Sequence, residues 1–421
     1  MSLESRRESR PNPPGLPNVL LILTDDWGWP FYGFMKYRGL DVFTPNLDKL
    51  VYGDESLGIS KGLAFSRGYV TAAHCQPSHK STLTGLNLRD IGNGELGKGG
   101  IKTIPDILGE TYARFSIGKW WQGPIGTFFP HNKKHKDNKF VNFAREGTSD
   151  VLALVGKFFD EAAASEKPWF LWCAPNLPHM PAEPPLEFVD PNARVPEEIL
   201  RKNQYGLRKT QQYLGNIKWL DQTIGLLIDR VRASQGGALT NTLVICLADN
   251  GAGLQGSKAH FSEAGMRTPI VVNFGNHIKK GGSVDEETLV GCIDLCATIC
   301  DYAQVSNARK PKMPDSKSLR DRFEGAVESR VWRDVLFSNW KVDGEYAAQT
   351  TRYKLYINNS DKRMRYFDVQ ADPFEDDNLL LKSGEVRPKV PDRDLACETL
   401  LMLEARLLAW KRKEGAAAAH A

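Results

Sequence analysis

The feature that most constrains the fold is Pro17-Asn-Val-Leu-Leu-Ile-Leu-Thr24, an unbroken apolar run that ends in Asp25-Asp26. A run with no polar alternation predicts a strand buried on both faces, as in the middle of a parallel sheet covered by helices. Two acids at the carboxyl end of such a strand add nothing to packing. They point at the crevice where open α/β sheets hold cations or ligands. A solvated Asp-Asp turn is the plain alternative, since acids are common in turns. A second pair of the same kind argues against it: Asn241-Thr-Leu-Val-Ile-Cys-Leu-Ala248 is another apolar run, and it closes on Asp249-Asn250-Gly251. Oxygens from Asp25, Asp26, Asp249 and Asn250 suit a hard cation, whereas Zn²⁺ draws on His or Cys. Ca²⁺ matches a four-oxygen protein site better than Mg²⁺, which stays possible.

Strand signals at 18–24, 168–174, 241–248 and 269–274 alternate with helical stretches near 46–53, 77–84, 146–165, 203–233 and 286–302. That alternation predicts an α/β fold, a mostly parallel central sheet flanked by helices. After about residue 330 the texture changes to short runs at 335–340, 346–350, 353–357 and 365–369, then a helix over 392–411. These read as a smaller C-terminal antiparallel sheet with a terminal helix. The layout expected is a leader or added tail over 1–16, a catalytic domain over 17–330, the antiparallel subdomain over 331–412 and a tail over 413–421. The charged, Pro-containing segment 309–323 reads as a surface connection.

With 421 residues and 41% hydrophobic content, the chain can bury a large core. Its 55 basic against 51 acidic side chains leave a net charge of +4, too small to argue for nucleic acid or a membrane surface. No apolar run has the length of a membrane span, and residues 1–14 lack the apolar middle of a signal peptide. Met1-Ser-Leu3 and residues 414–421 look like added tails. Localisation is therefore open: periplasmic or secreted if an export signal has been trimmed, cytoplasmic otherwise. Seven cysteines, an odd number, argue against a disulfide framework. Cys292, Cys296 and Cys300, spaced four apart on the helix expected over 286–302, read as a core face, because free cysteine packs as a small hydrophobe.

Cys75 precedes Pro77, a favoured first-turn residue, so its thiol sits where a helix begins and backbone N–H groups converge. Lys119 follows a short strand, Lys258 follows the second acid pair, and His179 lies just beyond the apolar run Trp169-Phe-Leu-Trp-Cys173. Taken singly, such lysines are ordinarily solvated and such a histidine structural. Delivery of all these groups to one side of a sheet is the geometry of an active site. A cation, a helix start and basic side chains around a nucleophile describe a site for anionic esters, sulfate and phosphate alike.

The chain resembles the sulfatases of the alkaline-phosphatase superfamily over nearly its whole length. The resemblance rests on Asp25-Asp26-Trp-Gly28, Thr44-Pro-Asn-Leu-Asp48, Cys75-Gln-Pro-Ser78, Leu83-Thr-Gly85 and Gly118-Lys-Trp120. It continues through Pro178-His179, Asp249-Asn250-Gly251, Glu263-Ala-Gly-Met-Arg-Thr-Pro269 and the Tyr366-to-Leu379 block. It implies that a maturation enzyme converts Cys75 to formylglycine, the nucleophile toward a small-molecule or saccharide sulfate ester. It also implies Asp25, Asp26, Asp249, Asn250 and position 75 around Ca²⁺. Lys119, His179 and Lys258 would hold the sulfate, with Lys258 and His179 assisting the leaving group.

Two positions depart from the family pattern. His79 stands where the family has Arg, which steadies the nucleophile and forms part of the maturation signal. Trp121 stands where Gly-Lys-Trp-His has its histidine. Histidine supplies neither the fixed charge nor the bidentate fork of Arg. Two alternatives follow: a phosphate or phosphonate ester hydrolase of the same superfamily, or a catalytically impaired sulfatase-like anion-binding protein. His131, His135 and His260 are candidates to approach the space of the missing histidine. Lys133, Lys134 and Lys136, with His131 and His135, read as a solvated charged loop, a polyanionic sugar partner being the sharper alternative.

Overall fold

The computed structural model describes residues 15–97, 100–130, 148–203, 205–254, 258–325, 332–340, 344–358 and 363–412. In chain order its first strands are β1 (Asn18–Thr24), β2 (Leu63–Phe65), β3 (Gly68–Tyr69), β4 (Ala113–Gly118) and β5 (Trp169–Ala174). They continue with β6 (Thr242–Ala248), β7 (Ile270–Asn273), β8 (Ser283–Asp285) and β9 (Val290–Gly291). Seven of them form one sheet in the order β4-β5-β1-β6-β7-β2-β8, and β3 pairs β9 apart from it. β1 runs parallel to both neighbours, β5 and β6, while β7 runs antiparallel to β6 and β2. The sheet is mostly parallel, as the apolar runs predict.

β1 shows why those runs are unbroken. Leu20 and Ile22 enter the core on one face of the sheet, and Val19, Leu21 and Leu23 enter the core on the other. A strand with both faces covered has no position for a polar residue. The first face is covered by the helices Pro45–Tyr52 (α1), Thr148–Ala164 and Gly206–Ala233, through residues such as Leu47, Val155, Ile217 and Leu220. The second is covered by Cys75–Thr84 (α2), Ile104–Leu108 and Asp294–Tyr302, through Leu83, Ile107, Leu295 and Ile299.

Two expectations need correction. The helix expected over 286–302 starts only at Asp294. Val290 and Gly291 are taken up in pairing with Gly68 and Tyr69, and the Asp294 carboxylate accepts the Gly291 N–H at 2.7 Å. Cys292 thus precedes the helix that carries Cys296 and Cys300, though all three thiols are buried core. Nor is 309–323 merely a surface connection. Leu319 and Phe323 are fully buried, and Asp315 accepts hydrogen bonds from Asn87, Arg89 and the Trp410 indole.

The C-terminal runs form an antiparallel sheet, β10 (Leu336–Trp340), β11 (Glu345–Gln349), β12 (Tyr353–Asn358) and β13 (Met364–Asp368), in sequential order. The terminal helix Arg393–Arg412 buries Leu400, Leu403, Leu407 and Trp410 against Tyr346, Leu355 and Tyr366 of this sheet. Lys354 of β12 joins the two sheets' layers: it is fully buried between Glu263 Oε1 at 3.1 Å and Glu375 Oε1 at 2.8 Å. Burial alone would discharge this lysine, but the two carboxylates hold its pKa above the ordinary value. Tyr69 donates a further hydrogen bond to Glu263 at 2.9 Å.

Removing one member of a buried charge cluster strands the others. Lys354→Met is expected to destabilise the protein by about 3–5 kcal/mol in denaturant unfolding. A loss below ~1 kcal/mol would show that the cluster is not what joins the layers.

Candidate active site

The site begins with strand register. β1 and β6 pair in step from Asn18↔Thr242 to Thr24↔Ala248, so their two acid pairs emerge side by side. Asp249 N–H donates to Thr24 O at 2.9 Å, and Asp26 N–H donates to Asp249 Oδ1 at 3.0 Å. Asp26 adopts a left-handed backbone with φ of 60°, which Asp tolerates better than most residues. Its carbonyl is held by the Tyr213 hydroxyl at 2.6 Å. Gly251 follows where nothing larger fits: a Cβ there would lie 1.7 Å from Ala264 O.

α2 supplies the thiol. Cys75 is its first residue, and His79, four residues on, lies on the same helical face. Cys75 Sγ is 3.5 Å from Asp25 Oδ1 and 3.9 Å from Asp26 Oδ1. Ligand atoms of Asp25, Asp26, Cys75 and Asp249 all lie within 4.8 Å of one another, and all four residues are buried. Asn250 Nδ2 donates to Asp26 Oδ1 at 2.6 Å, while its buried Oδ1 has no hydrogen-bond partner among the described residues. Three carboxylates and a spare amide oxygen in this space fit a hard divalent cation.

The basic residues come from loops after the other strands. β4 ends at Gly118, with φ of +85° and a hypothetical Cβ 1.9 Å from Ala174 O, so the chain turns tightly into Lys119. The Lys119 ammonium pairs with the Asp25 carboxylate. Lys258 Nζ lies 2.9 Å from Asp26 Oδ1 and 3.2 Å from His179 Nε2. His179 Nδ1 contacts the Met180 carbonyl, and the proton therefore belongs on Nδ1, leaving Nε2 to accept from Lys258. The strand ends and the start of α2 thus bring together Asp25, Asp26, Cys75, His79, Lys119, His179, Asp249, Asn250 and Lys258, every side chain singled out for this role.

Electrostatics follow from crowding. Burial, then the neighbouring Asp249 and Asp26 carboxylates, raise Asp25 well above the usual carboxylate range. Burial would raise Asp249 too, but the His79 hydrogen bond and charge bring it down to about 2. Burial and the Asp249, Asp25 and Asp26 charges push the Cys75 thiol far up, so in this setting the sulfur is a thiol, not a thiolate. Burial lowers His179, keeping it neutral, while Lys258 is held protonated by Asp26 against the effect of its own burial.

The aromatic surroundings were not legible from the motifs. His79 stacks on Trp121 with ring centroids 5.3 Å apart, and His74, just before Cys75, meets Trp340 of β10 at 5.4 Å. Trp121 thus occupies the site itself, and the C-terminal sheet reaches its border through Trp340. His260 is exposed, and His131, Lys133, Lys134, His135 and Lys136 lie outside the described residues.

The sequence pattern described as Sulfatase matches residues 17–305, and the pattern described as N-sulphoglucosamine sulphohydrolase, C-terminal, matches 257–389. The chain is similar to N-sulphoglucosamine sulphohydrolase of Homo sapiens, 25% identical over 323 residues, spanning 68% of this chain but only 61% of that protein. Arylsulfatase A of Homo sapiens is 25% identical, with 93% of this chain and 88% of that protein covered. One solved structure, described as a complex with its substrate D-glucosamine-2-N,6-O-disulfate, matches with a TM-score of 0.70 at 18% identity, covering 95% of this chain and 98% of that one. The phosphonate monoester hydrolase of Agrobacterium radiobacter matches with a TM-score of 0.66 at 18% identity, covering 93% and 96%. These structural likenesses establish the fold.

Burial makes two outcomes testable. In protein whose position 75 is still cysteine, iodoacetamide at mildly alkaline pH should label Cys397, the half-buried cysteine, in the native state and spare Cys75 until the protein is unfolded. Peptide masses report this, and native labelling of Cys75 would contradict the packing described. Asp249→Ala should weaken the binding of any divalent cation at this centre by about 100-fold or more in calorimetry, since it removes one of the three buried carboxylates and the partner of His79.

Proposed function

The chain belongs to the sulfatase family, and on that premise we propose that it hydrolyses a sulfate monoester, with a sulfated saccharide as the substrate class, to alcohol and inorganic sulfate. The observation that carries this reading is the meeting of three buried carboxylates, a helix-start cysteine and two lysines in one pocket. A saccharide is favoured because the two matched patterns include that of an N-sulphoglucosamine sulphohydrolase, and a structural neighbour is described as holding a disulfated glucosamine.

In this reading Asp25, Asp26, Asp249 and Asn250 hold a divalent cation, Ca²⁺ before Mg²⁺ on the oxygen donor set. Bound there, the cation would neutralise the carboxylates and polarise a sulfate oxygen. Cys75, matured to formylglycine, supplies the nucleophile at the helix start. Lys119 and Lys258 bring fixed positive charge to the remaining sulfate oxygens. Lys258 and His179, in contact at 3.2 Å, are the pair assigned to protonating the departing alcohol oxygen. His79 keeps Asp249 ionised and oriented from behind. Burial of the centre excludes water that would weaken each of these interactions.

A second reading, phosphate or phosphonate ester hydrolysis, is favoured by the phosphonate monoester hydrolase fold match. The two separate in one comparison. With matched aryl esters and the same metal, sulfate is expected to give the higher kcat/KM, and a higher value for phosphate would overturn the assignment. Cys75→Ala should lower hydrolysis on the order of 10³-fold or more. The mass of the tryptic peptide 68–80 should show an aldehyde at position 75, whereas an intact thiol together with undetectable hydrolysis would leave an anion-binding protein.

A further inference from the structure

His79 is 1% exposed, yet among the described residues only one of its ring nitrogens is engaged. Nε2 lies 3.3 Å from Asp249 Oδ2, and Nδ1 has no hydrogen-bond partner among the described residues. An imidazole that serves a charged centre is ordinarily oriented through its second nitrogen. Here the orientation comes from ring packing. Trp172, fully buried on β5, meets the imidazole edge-on at 5.5 Å and 65°. Its indole N–H donates to the Lys119 carbonyl at 3.3 Å, so it is a fixed wall.

The opposite wall is different in kind. Trp121 is 41% exposed and lies just beyond Gly118 and Lys119. Its indole stacks on the imidazole at 5.3 Å with the rings 29° apart, and the same ring lies 4.7 Å from Lys119 Nζ. If the indole were absent, the imidazole would keep the Trp172 edge and one hydrogen bond but would lose the ring stacked on its face. Rotation about the last side-chain bond would then carry Nε2 away from Asp249 Oδ2.

We propose that Trp121 is a positioning residue that acts through His79: its indole fixes the imidazole plane, which keeps Nε2 on Asp249. The proposal rests on the reading of this pocket as a metal-dependent ester site, but its test needs no turnover. A ring that served only to stack on substrate would leave metal affinity untouched.

The test is Ca²⁺ binding, with the metal alone, by calorimetry on the intact protein. Trp121→Leu is expected to weaken binding about 3- to 10-fold, from loss of an aromatic pair supporting a ligand's partner. Trp121→Phe, which keeps a stacking ring, should recover most of that loss. In a His79→Ala background, Trp121→Leu should change affinity by less than about 2-fold, because its route is already cut. An equal loss in both backgrounds, or no loss in either, overturns the proposal. A wild-type protein that binds no Ca²⁺ would instead sink the functional reading. The ring protons of His79 then decide: an overlying indole shifts their NMR signals upfield, and the shift should vanish in Trp121→Leu and persist in Trp121→Phe. Signals unmoved by Trp121→Leu would refute the positioning role.

Discussion

Everything in this molecule follows from the pairing of β1 with β6. Seven consecutive residues of each strand lie in register, and the pairing ends one step before both acid pairs. A slip of one residue would turn every apolar side chain to the wrong core and would separate Asp25 and Asp26 from Asp249. Because both faces are fully buried, such a slip is strongly disfavoured. Hydrophobic burial therefore positions the carboxylates. The electrostatic repulsion that results is offset locally by Lys119, Lys258 and His79.

Much of this was legible in the sequence, for a specific reason. Strands buried on both faces write themselves as unbroken apolar runs, and acids at their ends stand out against that background. The fold class, the antiparallel C-terminal sheet and the convergence of Lys119, His179 and Lys258 follow from such signals. What stayed hidden depends on partners distant in the chain. Val290 and Gly291 read as helix until their pairing with Gly68 and Tyr69 is known. Leu319 and Phe323, set among charges, read as surface although they are core. The stack of His79 on Trp121 lies between residues forty-two positions apart, neither apolar nor charged enough to announce a contact. Reading those two residues separately, as two departures from a family pattern, missed that they touch.

The C-terminal sheet is more than an appendage. Lys354 reaches between Glu263 and Glu375, and Trp340 stands against His74. Glu263 opens the short helix that leads into β7, and His74 is the cap of α2. Through these contacts the second sheet bears on the segments that frame the site. Its position is fixed by buried charge, whose pairing is more exacting in geometry than apolar packing.

At two points beside the site, backbone lies in direct contact with backbone. At Gly118 and Gly251, any side chain would begin inside the carbonyl of Ala174 or Ala264. These positions are closed to variation, because no rotamer can relieve a clash that starts at Cβ. The turns that lead into Lys119 and out of Asp249-Asn250 are therefore held to glycine, whatever ligand the site receives. Any drift in what this protein accepts must come from its border, where Trp340 can change without touching the carboxylates, whereas Trp121 is tied to them through His79.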